Sequence, residues 1–140
     1  MILGIDPGAK IGMAIYQDGK LKSLHTTDLL GALSFIRIER PALVVIEDST
    51  LQSHIFTAPG LRHAAAMKIA RNIGEVDMAC KLIKYVCRDC GIGYSSLSPK
   101  DKGKKMDRAA FAKITGWQEA CNQHERDAGM VAWRFKGMKT

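Results

Sequence analysis

Apolar positions along the chain fall into two periods. Ile2, Leu3 and Ile5 form a short β-rich run that stops at Asp6, meets Pro7-Gly8 and resumes from Ile11 to Tyr16. This predicts strand, tight turn and antiparallel strand. Gln17-Asp18-Gly19-Lys20 is a second turn signal, and Leu21 to Thr27 pairs back as a third strand. Leu29, Leu30, Leu33, Phe35 and Ile36 then follow a near-helical spacing behind Asp28, which predicts a helix over 29–40 with Asp28 as N-cap and Pro41 beyond its end. Ala42 to Ile46 is apolar without alternation, the pattern of a strand covered on both faces, and it ends on Glu47-Asp48.

Ser49 to Pro59, including Gln52, His54 and Phe56, carries no period and reads as a loop over the upper edge of the sheet. From Gly60 to Cys90 the pattern is helical, in one piece or in two meeting near Gly74. Val76, Ala79, Cys80, Ile83, Val86, Cys87 and Cys90 share one face, which is core or interface. Gly91 ends the helix, and Ile92 to Ser98 predicts a further strand, stopped by Pro99. A charged, glycine-bearing loop follows, with Lys100, Lys102, Lys104, Lys105 and Arg108 set against Asp101 and Asp107. Such runs are solvated surface in most proteins, but this one leaves the carboxyl end of a strand. Asp107 can cap a helix running to Gly116, and a last helix over 124–135 carries Ala128, Val131, Ala132 and Phe135 on one face. The elements together predict one α/β domain over residues 1–140 with a mixed sheet.

Length and charge narrow the function. The chain has 140 residues and a formal charge of +7, from 21 Lys and Arg against 14 Asp and Glu, which favours an anionic partner such as nucleic acid. It has no apolar run of 18 residues, and a core strand beginning at Ile2 leaves no room for a leader peptide. The expectation is a cytoplasmic protein without a membrane anchor, its four cysteines reduced.

Asp6 ends one strand and Glu47 another, at the end of an α/β sheet where ligands gather. Taken alone, Asp6 serves either its own turn or a cation, and Glu47 has the same bland alternative. His124 and Asp127, three apart at a helix start, can project toward the same edge. Three acids so placed repel one another unless cations lie between them, which points to divalent metal: Mg, or Mn with a His among the ligands. Two such ions about 4 Å apart suit in-line cleavage of a phosphodiester.

Gly4-Ile5-Asp6-Pro7-Gly8 with Gly12, Val45-Ile46-Glu47, Gly103 through Arg108, and His124-Glu125-Arg126-Asp127-Ala128 resemble, in that order, the motifs of RuvC-type Holliday junction resolvases. The resemblance covers nearly the whole chain, and its specificity lies in the combination. It implies a ribonuclease-H-like mixed five-stranded sheet with helices on both faces, a homodimer through the long helix 60–90, and Mg-dependent nicking of four-way DNA junctions. It also implies Asp6, Glu47, His124 and Asp127 as catalytic metal ligands, His124 standing in the histidine form of the last motif. The family's active-site lysines are matched in kind by Lys100, Lys104 and Lys105, and the basic loop as a whole, Lys100 to Arg108, is the expected DNA contact. The chain departs from the cellular enzymes after the strand glutamate, where Asp48, Ser49 and Thr50 replace a stacking aromatic, with Phe56 as candidate substitute. It is compact, as viral and phage members are.

Three rival readings remain. Cys87 and Cys90 with Cys121 and His124 have the ligand types of a zinc site, but a strand of roughly 20 Å separates the predicted positions of the two pairs. An ATP-binding domain of the actin and sugar-kinase type would need a second Asp-bearing hairpin, which is missing. A DNA-binding protein without chemistry is permitted by the charge alone.

Overall fold

The computed structural model describes residues 1–52 and 62–139; His54 and Phe56 lie outside the described residues. Strands β1 (Ile2–Asp6), β2 (Ile11–Gln17) and β3 (Lys20–Thr27) form the antiparallel meander. Asp18 and Gly19 both adopt positive φ between β2 and β3, the backbone that an Asp-Gly hairpin turn supplies. Helix α1 (Leu29–Glu39) begins at Asp28, whose carboxylate accepts from the Gly31 amide at 2.7 Å. Strand β4 (Leu43–Glu47) then pairs parallel with β1, and β5 (Gly93–Leu97) parallel with β4, giving one five-stranded sheet in the order β3-β2-β1-β4-β5.

Between β4 and β5 runs α2 (His63–Asp89), a single helix. The division allowed for at Gly74 does not occur. A Cβ there would meet nothing, so this glycine costs only helix propensity, about 1 kcal/mol, within a long hydrogen-bonded run. Two shorter helices close the chain, α3 (Arg108–Thr115), capped by Asp107, and α4 (Gln123–Ala132), followed by a short three-ten turn at Trp133–Phe135. No described helix is long and apolar enough to cross a membrane.

The sheet is covered on both faces, and strand alternation assigns each residue to one of them. Leu3, Ile5, Val44 and Ile46 pack against Ala32 and Ile36 of α1 and Cys80, Ile83 and Cys87 of α2. Ile2, Ala14, Tyr16 and Val45 pack against Ala128, Val131 and Ala132 of α4. The second layer is unusually close. A Cβ on Gly4 would overlap the carbonyl of Ala128 and come within 2.7 Å of the Ala132 Cβ, and one on Gly12 would overlap the carbonyl of His124. On the far side of α4, Gly129 leaves room for the Phe111 ring of α3, and its carbonyl accepts a buried 2.8 Å bond from the Tyr16 hydroxyl. The glycines of the first motif are therefore a bed for a helix as well as parts of a turn.

Gly12→Ala is expected to force α4 off the sheet. Overpacking of this kind costs about 1–3 kcal/mol, and against rigid backbone the upper part of that range applies. Urea unfolding followed by circular dichroism should show a lower midpoint at unchanged slope, whereas Gly74→Ala should not lower it. Equal midpoints for Gly12→Ala and wild type would mean that α4 does not depend on this contact.

Candidate active site

The alternation that builds the two layers also sorts the acids. Asp6 follows Ile2 and Gly4 on the α4 face of β1, and Glu47 follows Val45 on the same face of β4. Asp48, one residue on, turns to the opposite face, where it is fully buried. It accepts from Lys84 of α2 at 2.6 Å, from the Ser96 hydroxyl at 2.9 Å and from the Thr50 amide at 3.0 Å. Burial disfavours its charge, but the Lys84, Thr50 and Ser96 bonds outweigh it and hold the carboxyl below its usual range. Asp48 is thus a satisfied structural carboxylate that fixes the end of β4 to α2.

Helix α4 brings the third acid. Its N-terminus is set by a reciprocal capping box between Asn122 and Glu125, and both side chains also bond Thr26 of β3, at 2.7 and 2.9 Å. With the helix start tied to the sheet edge and its body lying on Gly4 and Gly12, Asp127 comes to rest, 5% exposed, beside Asp6 and Glu47. His124, one turn earlier, stands at the rim with half its side chain exposed and Nδ1 3.7 Å from Asp6 Oδ2. All four residues singled out from the sequence therefore lie at one end of the sheet.

At their centre is a cation that the sequence pattern assigns to the DNA surface. Lys102 folds inward until its side chain is 7% exposed, with Nζ 2.7 Å from Glu47 Oε2 and 3.5 Å from Asp127 Oδ1. Burial works against its charge, but the Glu47 bond and the charges of Glu47, Asp127 and Asp6 prevail and keep the ammonium above its ordinary range. Lys102 is expected from the sequence to contact phosphate with its neighbours; in the structure its charge meets carboxylates, while Lys100, Lys104, Lys105 and Arg108 stay exposed around it. It is Lys102, and not Lys100, Lys104 or Lys105, that enters the acidic cluster. A loop has no periodicity, so nothing in the charge run marks which lysine turns in.

One ammonium does not balance three carboxylates. Burial and then the neighbouring Glu47 push Asp6 from an ordinary 3.8 up to about 8, so the cluster keeps a proton it would otherwise lose. Among the described residues, no three His, Cys, Asp or Glu side chains close on one point as a finished cation cage. The donor set nevertheless fits a hard divalent ion: its ligands are carboxylate oxygens with one imidazole at the rim, and the charge deficit is already met in part by a stand-in cation, the Lys102 ammonium. The cysteines do not join this site. Cys87 is buried in the layer between sheet and α2, and Cys90 precedes β5 where Gly93 pairs with Leu43, at the opposite end of β4 from Glu47. Cys121 stays with α4.

No family model and no curated protein matches the chain. Solved structures do. RuvC of Thermus thermophilus in complex with Holliday junction substrate is similar over 94% of this chain and 89% of its own, at TM-score 0.60 and 17% identity. A second structure of Thermus thermophilus RuvC is similar over 94% and 90%, at TM-score 0.58 and 16% identity. This chain has the RuvC fold. The RuvC-like sheet and its helices on both faces are what the motif order implies, and they bring the ends of β1 and β4 to the edge where α4 starts on Gly12 of β2.

The Asp6 proton makes a measurable prediction for metal-free protein. Unfolded, Asp6 releases its proton near 3.8; folded, near 8. Between these values the folded state binds the extra proton, so the stability tied to this group is fullest at low pH and is lost as pH rises through the window. Asp6→Asn removes the dependence. In chelator, the melting temperature of the variant relative to wild type should therefore grow from pH 5 to pH 8, by at least about 3 °C, the shift given by ~1 kcal/mol in a domain of this size. A constant difference would place Asp6 in its ordinary charged state.

Proposed function

We propose that this protein is a divalent-metal-dependent endonuclease that nicks four-way (Holliday) or other branched DNA by phosphodiester hydrolysis. The observation that carries the reading is the convergence of Asp6, Glu47 and Asp127, from three separate elements, around a single buried ammonium at the carboxyl ends of β1 and β4. A structural cluster would neutralise its acids, as the Asp48 site does on the other face. This one leaves negative charge unmatched at an edge rimmed by Lys100, Lys104, Lys105 and Arg108. The similarity to a RuvC solved with Holliday junction substrate supports the same substrate class.

In this reading Asp6, Glu47 and Asp127 hold Mg or Mn, with His124 completing the set from the rim. Bound there, the metal supplies Lewis-acid polarisation of the scissile phosphate and lowers the pKa of a water. The exposed lysines and Arg108 position the phosphate backbone without reading bases. Lys102 keeps the acids from driving α4 away before metal and DNA arrive.

The assembly we propose is a homodimer through α2. Met67, Met78 and Tyr85 are each more than half exposed, and with Gly74 they fall within about 20° of one helical face. An apolar stripe with a glycine at its middle suits close approach of a second copy. A two-fold pair of active sites in turn suits a symmetric four-way junction.

Labelled four-way, three-way and linear duplexes, incubated with and without Mg or Mn, test the reading directly. Mapped nicks near the branch point that require the ion are expected. Asp6→Asn and Glu47→Gln should each lower cleavage by at least about 100-fold, more than loss of a supporting residue typically does, yet keep or tighten junction binding by removing negative charge. Binding without cleavage in wild type under every ion would favour a DNA-binding protein without chemistry.

The basic rim gives an independent expectation. Each phosphate neutralised contributes about −0.9 to the slope of log affinity against log salt, so replacing Lys104 and Lys105 together by Ala should make the slope shallower by up to about two units in divalent-free buffer. Replacing Lys102 should change the slope less than replacing either of them, because its charge faces carboxylates. An unchanged slope for the double variant would return these lysines to plain surface.

A further inference from the structure

Arg126 and Gln123 lie in the first turns of α4, and neither is accounted for by the site so far. Arg126 has no carboxylate partner in its bonding pattern and instead spans three segments. Its Nε donates to the Met106 carbonyl at the end of the lysine loop, at 2.9 Å. One terminal nitrogen donates to the Cys121 carbonyl in the turn before α4, at 2.8 Å, and the other to Gln123 Oε1, at 3.1 Å. A guanidinium can only donate, so this last bond decides which way the Gln123 amide faces. The oxygen is taken by Arg126, and Nε2 therefore points the other way, donating to Asp127 Oδ1 at 2.9 Å.

That oxygen is the one nearest Lys102, at 3.5 Å. The result is a continuous chain from the Met106 carbonyl through Arg126, Gln123, Asp127 and Lys102 to Glu47. It closes a ring, because Lys102 and Met106 belong to the same loop. One arginine thus fixes both the far end of that loop and the rotation of the Asp127 carboxylate, leaving Oδ2 without a bond to Gln123 or Lys102. A swinging carboxylate would lose its aim toward a bound ion, and a free loop would lose the placement of Lys102.

We propose that Arg126 and Gln123 are positioning residues: through the amide of Gln123, Arg126 sets the orientation of Asp127 for metal binding while tethering the lysine loop. The inference rests on the nuclease reading above. Groups that orient a metal ligand typically change metal affinity or activity 10–100-fold when removed. Gln123→Met keeps the length of the side chain and deletes both bonds; Arg126→Lys keeps the charge but cannot reach three acceptors at once.

Calorimetric titration of metal-free protein with Ca2+, without DNA, provides a readout separate from cleavage. Each variant, shown to be folded by its melting curve, should bind Ca2+ about 10-fold or more weakly than wild type. Turnover on a four-way junction in Mg should fall in parallel, while junction affinity of Gln123→Met in divalent-free buffer stays within about 2-fold of wild type, since Arg126 still holds the loop through Met106 and Cys121 and no phosphate contact is lost. Variants that melt lower but bind Ca2+ as wild type does would show Arg126 to be a structural clamp only, overturning the proposal. Wild type that neither binds Ca2+ nor cuts any branched substrate would instead sink the nuclease reading itself, and this inference with it.

Discussion

The closeness of α4 to the sheet is the constraint from which the site follows. Two strand glycines, Gly4 and Gly12, remove the side chains that would hold the helix at ordinary distance, and backbone carbonyls of Ala128 and His124 occupy the space. A helix one side chain further out would put Asp127 beyond reach of Glu47 and Asp6. The contact is apolar over most of its length, through Ala128, Val131 and Ala132, so it supplies the burial that offsets bringing like charges together at one end. The polar ties at the helix start, Thr26 with Asn122 and Glu125, fix rotation more than they add stability. Packing sets the distance and capping sets the angle.

The last residue of β4 and the residue after it show two ways of managing a buried carboxylate. Asp48 has Lys84, Ser96 and Thr50 on it, and removing one charged partner from such a pair typically costs about 3–5 kcal/mol. Glu47 shares one lysine with Asp127 and lies close enough to Asp6 for its charge to raise that carboxyl, whose protonation is the cheapest response left to the cluster. The difference between them is only the side of the sheet each faces. On the α2 side a lysine rises from a long helix to meet the acid; on the α4 side the helix brings another acid. Stability is concentrated in the first site, and an unmet demand for positive charge in the second.

Much of this was legible in the sequence, for reasons that particular residues make clear. The meander, β4 and the caps at Asp28 and Asp107 are local: alternation, Asp-Gly and Asp N-caps act over a few residues, and no distant contact overrides them. Asp6, Glu47, His124 and Asp127 could be brought to one edge because strand ends and helix starts have fixed directions. Lys102 could not be distinguished from Lys100 or Lys104, since the choice depends on where a loop of irregular backbone crosses the acids. Arg126 and Gln123 were equally opaque: the guanidinium donates to a carbonyl 20 residues back and to the Gln123 amide oxygen, interactions that leave no mark of residue type. The single course of α2 through Gly74 was undecided because glycine reads as a breaker, while length and tertiary packing determine the outcome.

The charge layout bears on how an anionic chain could approach acids at all. Lys100, Lys104 and Lys105 on the exposed loop and Arg108 at the start of α3 contribute four positive charges, and the cluster beneath holds three carboxyl groups against one ammonium. At physiological salt, fields fade over about 8 Å, so a phosphate first meets the rim and only at contact meets the floor. Under the nuclease reading the rim would therefore collect DNA without help, but the last few ångströms would oppose it unless the floor gained positive charge. Metal and DNA binding would then be coupled through Coulomb attraction, each raising the affinity of the other by the same factor. Under the nuclease reading, that coupling makes binding without metal and cleavage with it separable properties of one surface, since the exposed lysines serve the first and the buried acids the second.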